Sequence, residues 1–260
     1  MGKSTTRGVL VFRRNGKAHV EVGEHRKYVQ LAKSGIGTAL HGDEVEIRPV
    51  ARKKGDRRKQ RRPERPRYDV VKVLARSLDQ FLGYAERAGD RWMIRPEDGR
   101  IHVNFSLSGN VPGKLKDGNK VLVQFDKWDQ PRQAPRCRIL RTLGPAGDPL
   151  TDHLGILAKY KLPSRFPKQV RQELEAIPKQ VGATETKGRE DLRRRFTLTV
   201  DPVDARDFDD ALSLHSLKDG KIEVGVHIAD VSAYVTTGTA LDKEAYRRGN
   251  STYLVGEVVP

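Results

Sequence analysis

Apolar residues recur at short, alternating intervals through the first 145 positions, and turn-forming groups break the intervals. Val9-Leu10-Val11-Phe12 is followed by Asn15-Gly16, a hairpin signal. Ala18 to Val22 and Tyr28 to Leu31 alternate, and His41-Gly42-Asp43 turns into Val45-Glu46-Ile47. The same grammar restarts at Val70-Val71-Lys72-Val73. It continues through Gln80 to Tyr84, Arg91 to Ile94 and Ile101-His102-Val103, and Asp117-Gly118-Asn119 then turns into Val121 to Phe125. The matched endings Gly42-Asp43-Glu44-Val45 and Gly118-Asn119-Lys120-Val121 mark a weak internal duplication. About five short strands in about 70 residues predict a small closed barrel of the OB type, here twice.

The period then changes. Pro145 to Pro149 reads as a linker. Leu150, Leu154, Leu157 and Ala158 fall three or four apart, and so do Phe166, Val170, Leu174 and Ile177, ended by Pro178. Both are core stripes of helices. Strands return at Phe196 to Val200, Ala211 to Leu214 and Ile222 to Ile228. A helix from Thr239 to Arg248 follows, with Thr239 as N-cap and Gly249 past its end. The predicted class is mainly β with an α+β C-terminal part. The expected units are a first barrel at 1–50, a basic loop at 51–69, a second barrel at 70–144, linker and helices at 145–195, and a last segment at 196–260.

Charge divides the chain further. The formal net charge is +16. Residues 1–150 carry 33 Lys and Arg against 17 Asp and Glu, while residues 151–260 carry 17 of each. A basic half joined to a balanced half predicts a polyanion-binding arm on a body with another task. Half of the excess lies in Ala51–Arg67, whose ten Lys and Arg face only Asp56 and Glu64. Arg57, Arg58, Lys59, Arg61 and Arg62 are its densest part and are expected to attract phosphates without reading sequence. No apolar run approaches a membrane span, and no secretory signal opens the chain. Cys137 is the only cysteine, so neither an internal disulfide nor a cysteine zinc cage can form, and a cytoplasmic location is expected.

One ten-residue window concentrates chemistry: Asp201-Pro202-Val203-Asp204-Ala205-Arg206-Asp207-Phe208-Asp209-Asp210. Five carboxylates this close repel, and a divalent cation removes the conflict. Short, hard carboxylates suit Mg²⁺ or Mn²⁺. A calcium EF-hand fails, because Leu212 and Lys218 occupy its glycine and glutamate positions. On a regular strand Asp207 and Asp209 share a face and Asp210 points away, so convergence requires a bend. A solvated acidic turn is the alternative. His227 and Asp230 read as structural hydrogen-bonding residues.

At these residues the sequence resembles the RNase II/RNase R family of exoribonucleases, most of all its bacterial RNase R branch. The window Asp201-x5-Asp207-x-Asp209-Asp210 is that family's signature. Gly188-Arg189-Glu190-Asp191-Leu192, His227-Ile228-Ala229-Asp230-Val231-Ser232 and the run Leu241 to Leu254 match as well. The resemblance implies two cold-shock-type barrels ahead of an RNB catalytic domain, of which 196–260 is the first part. It implies processive 3′→5′ hydrolysis of single-stranded RNA to nucleoside 5′-monophosphates, with Asp201, Asp207, Asp209 and Asp210 holding Mg²⁺ (Mn²⁺ as substitute). Tyr253 occupies the position that stacks on a base near the RNA 3′ end. The first barrel lacks the paired aromatic stripe of cold-shock proteins over Gly16–Val22, and Trp92 and Phe105 in the second barrel are the better stacking candidates. The family's RNB domain extends well past Pro260, so the chain is expected to be an incomplete fragment with an open sheet edge and uncovered apolar faces. The alternative is a non-catalytic RNA binder acting through the barrels and the basic loop. No DNA specificity, membrane or obligate protein partner is expected.

Overall fold

Alternation places every second side chain of a strand on one face, and both barrels are built on that rule. In the computed structural model β1 (Thr6–Phe12) turns Leu10 and Phe12 inward. It pairs antiparallel with β2 (Ala18–Val22), and β2 pairs with β3 (Lys27–Leu31). β4 (Glu44–Pro49) contributes Val45 and Ile47 to the same core, and β5 (Arg67–Ala75) closes the barrel in the order β1-β2-β3-β5-β4. All residues are described except 1–4, 14–15, 26, 33–34, 51–65, 204 and 206.

This corrects two expected boundaries. Val70 to Val73 do not open the second barrel; they lie in β5 and complete the first, which therefore runs to Ala75. The basic stretch is thus an insertion between β4 and β5 and not a link between domains. β5 pairs parallel with β3, Gln30 opposite Arg67, and antiparallel with β4, Ile47 opposite Val70. Such non-local pairing leaves no trace in local alternation.

The second barrel repeats the topology with β6 (Gln80–Ala88), β7 (Arg91–Pro96), β8 (Phe105–Leu107), β9 (Asn119–Lys127) and β10 (Arg136–Pro145), in the order β10-β8-β7-β6-β9. Ile101 to Val103 form a bend, and the strand expected there begins at Phe105. The core gathers Phe81, Ala85, Ile94, Phe105, Val121, Val123 and Cys137. Burial pushes the Cys137 thiol up to about 12.

The two barrels meet in a joint built around Leu40 and Asp43. Leu40 of the first packs into the core of the second. Asp43, fully buried, accepts from Leu40 N at 2.7 Å, Ser77 N at 3.0 Å and Arg76 Nη1 at 2.6 Å. Arg76 lies over the Phe125 ring, and Phe12 stacks on His102 at 4.1 Å. Helix α1 (Pro149–Lys159) is capped by Asp148 and tied to β9 by the buried Lys120, which reaches Asp152 at 3.0 Å and Glu97 at 2.7 Å. This first unit ends at Leu162.

The second unit, Pro163–Pro260, holds α2 (Lys168–Ala176), α3 (Ala183–Thr186), β11 (Phe196–Leu198), β12 (Asp210–Ser216), β13 (Ile222–Ile228), α4 (Ala240–Arg248), β14 (Thr252–Leu254) and β15 (Glu257–Val259). The Glu173 carboxylate of α2 accepts from Ala240 N and Leu241 N, meeting bare amides at the start of α4. Thr239 caps that helix as expected, and Gly249 ends it at φ 78°. β11, β12 and β13 form an antiparallel sheet. Their register puts Phe196, Leu198, Leu212, Leu214, Val224 and Val226 on one face, and none of them is buried. Among the described residues no helix is long and apolar enough to cross a membrane.

Candidate metal and RNA site

The acidic window connects β11 to β12. Of its described aspartates only Asp210 lies in a strand, opposite Ile228; Asp201, Asp207 and Asp209 lie outside strands. Asp209 is fixed through its backbone: its carbonyl accepts from Ala229 N at 2.8 Å, just past the end of β13. Asp207, Asp209 and Asp210 are exposed, and Asp201 is half-buried. The Asp201 Oδ2 atom is buried and has no hydrogen-bond partner among the described residues. Asp204 lies outside the described residues.

Tyr253 comes to this window from β14. A turn at Gly256, φ 80°, folds β15 back so that Tyr253 opposes Val258. Its side chain is 63% exposed, and its hydroxyl donates to Asp207 Oδ2 at 2.6 Å. That bond, then the charges of Asp207 and Asp209, raises the phenol pKa above its ordinary value.

Among the described residues no three acidic, His or Cys side chains form a ready ligand cluster. The donor chemistry nonetheless fits a hard divalent cation, because every candidate is a carboxylate oxygen. The orphaned Asp201 Oδ2 is the atom that most needs a cation, since an unpaired buried polar group is costly.

His227 and Asp230 are hydrogen-bonding residues, as read. His227 Nε2 lies 2.7 Å from Ser213 Oγ. Asp230 accepts from Arg189 Nη2 and Ser232 Oγ, both at 2.6 Å, and these bonds hold its carboxyl below the usual range. The tie to Arg189 spans 41 positions and had no local signal beyond the presence of Arg189 in a quoted motif.

The nucleic-acid candidates divide. Phe105 is 0% exposed and packs on Phe81 at 4.5 Å, so it is core and cannot stack on a base. Trp92 is half-buried against the second core, with the Arg87 guanidinium 6.0 Å from its ring centroid. Arg57, Arg58, Lys59, Arg61 and Arg62 lie outside the described residues. Sequence reasoning passed over Tyr28, which is exposed on β3 and meets His19 edge-on at 4.7 Å.

Known proteins match both units. The RNB domain model matches residues 189–260 and the Cold shock domain model residues 93–167. Ribonuclease R of Thermotoga maritima is 33% identical over 262 residues, covering 100% of this chain and 36% of that protein. RNase R of Mycoplasma genitalium, solved in apo form and in complex with ribose-methylated single-stranded RNA, superposes with TM-score 0.75 at 22% identity, over 98% of this chain and 39% of that one. Yeast Ssd1, described as a pseudonuclease, superposes with TM-score 0.61 at 17% identity, over 98% of this chain and 38% of that one. The chain spans about a third of the length of the curated relatives it matches.

Proposed function

The chain belongs to the RNase II/RNase R family, and on that premise we propose that it is the part of a processive 3′→5′ exoribonuclease that grips single-stranded RNA and carries metal-binding aspartates. The products would be nucleoside 5′-monophosphates and the setting the cytoplasm. The observation that carries this reading is the meeting of Tyr253 with Asp207, which brings an exposed aromatic ring beside the acidic window. Asp201, Asp207, Asp209 and Asp210 would hold Mg²⁺, or Mn²⁺ in its place. The chemistry supplied there is that of a Lewis acid, offsetting charge on the scissile phosphate and easing deprotonation of the attacking water. The exposed Tyr253 ring is suited to hold any base by stacking, without reading its edge. The basic N-terminal half draws the phosphate backbone, and the two barrels carry it.

Asp209→Asn tests the reading. Mg²⁺-dependent hydrolysis of labelled RNA is expected to disappear while retention of RNA in a gel survives. Loss of both together contradicts a metal role for Asp209.

A second reading, RNA binding without catalysis, draws on two observations. No three-ligand cluster stands ready among the described residues, and the apolar face of the β11–β13 sheet is exposed. The pseudonuclease Ssd1 has the same fold. In that case Asp209→Asn and the wild-type chain retain RNA equally and neither shortens it.

A further inference from the structure

An exposed tyrosine that served only as a stacking platform could leave its hydroxyl to water. Here the hydroxyl of Tyr253 is committed to Asp207 Oδ2 at 2.6 Å, across 46 positions of sequence. Asp207 Oδ1 accepts no hydrogen bond from a described residue. A donor fixed on one carboxylate oxygen sets the plane of the group and leaves the other oxygen presented. It also withdraws charge from Asp207 while Asp209 stands close by, easing the repulsion before any cation arrives.

The ring's position is itself constructed. Thr252 and Leu254, on either side of Tyr253, are half-buried, and Val259 of the returning strand is buried. Arg248, at the last turn of α4, bonds Glu244 at 2.8 Å, lies 4.1 Å from the Phe166 ring centroid and donates to the Pro260 carbonyl. The hairpin that carries Tyr253 is thereby fastened near both of its ends.

We propose that Tyr253 is a positioning residue for the metal: its hydroxyl orients Asp207 and leaves Oδ1 to the cation, a role separate from the stacking of its ring on RNA. The proposal rests on the reading of Asp207 as a metal ligand.

The test is a Mn²⁺ titration of the 260-residue chain, followed by the paramagnetic resonance signal of free Mn²⁺, with RNA retention measured in parallel in EDTA. Tyr253→Phe is expected to weaken Mn²⁺ binding about tenfold, the usual scale for an outer-shell hydrogen bond, and to keep metal-free RNA affinity. Tyr253→Ala is expected to lose both. In an Asp207→Asn background, Tyr253→Phe should add no further loss of Mn²⁺ affinity, because the two side chains act as one. Wild-type Mn²⁺ affinity in Tyr253→Phe overturns the proposal, as does an additive loss in the double variant. RNA affinity that falls as far in the Phe variant as in the Ala variant also overturns it, since the hydroxyl would then serve RNA. A wild-type chain that binds no Mn²⁺ removes the premise itself, and so is distinguishable from failure of the tyrosine's role.

Discussion

Asp43 shows how one side chain can hold two domains in register. Its carboxylate sits at 0% exposure and accepts two backbone N–H groups and an arginine. Burial raises its pKa, against the pull of those donors and of the Arg76 charge. Removing it leaves Leu40 N and Ser77 N without that acceptor, while Arg76 keeps the Thr38 carbonyl at 2.9 Å but loses its counter-charge. Asp43→Ala is expected to cost about 3–5 kcal/mol, the scale for breaking a buried charged pair, measured by urea unfolding of the full chain. A loss below about 1 kcal/mol, the scale of an exposed pair, would mean that solvent reaches the joint. Sequence marked Asp43 only as a turn residue. Its partners at 76 and 77 lie beyond the basic insertion, so no local pattern could reveal the contact. The aspartates at 201–210 were legible because their chemistry is concentrated in one window. The Tyr253–Asp207 bond was not, because it forms only when a hairpin 46 positions away folds back.

The joint between the barrels is expected to weaken in acid. His41 Nδ1 accepts from Phe12 N at 3.0 Å, so that nitrogen must be unprotonated. His102 stacks on Phe12, and the Trp128 ring lies tilted 6.3 Å away. Desolvation lowers the half-buried His41 below the ordinary 6.5, with Arg100 adding to the effect while Asp98 and Asp43 oppose it; His102, exposed at its edge, is shifted the same way where it packs on Phe12. A folded-state value below the unfolded one means the unfolded chain takes up more protons as the pH falls. The stabilisation is therefore complete above 6.5 and drains away below it. The melting temperature is expected to fall between pH 7.5 and 5.5, by about 2–4 °C for each kcal/mol lost. His102→Phe, which keeps a ring against Phe12, should flatten that fall; an unchanged pH profile would show that His102 does not contribute. Strand alternation gave most of the barrel strands correctly. It misassigned Val70–Val73 because a closing strand looks like an opening one until its partners are known. Phe105 was a base-stacking candidate because the resemblance calls for aromatics in the barrel, and outside a predicted strand nothing tells an inward ring from an outward one.

The whole chain is polarised. Residues 1–150 carry the entire +16 excess, and the balanced remainder carries the aspartate window. On the proposed reading, basic barrels that draw a polyanion and aspartates that would take a cation before a phosphate approaches are complementary parts. The charge asymmetry and the two-barrel architecture were legible from sequence, because both follow from composition and period. The uncovered face of the β11–β13 sheet became definite only with the register, which decides that all its apolar residues share one side. The most direct measurement incubates the 260-residue chain with Mg²⁺ and 5′-labelled single-stranded RNA, with and without EDTA, and resolves the products by length. Progressive shortening from the 3′ end that EDTA abolishes is the expected result. RNA that stays full length while bound in a salt-sensitive complex would contradict catalysis by this chain and leave it an RNA-binding segment of the family.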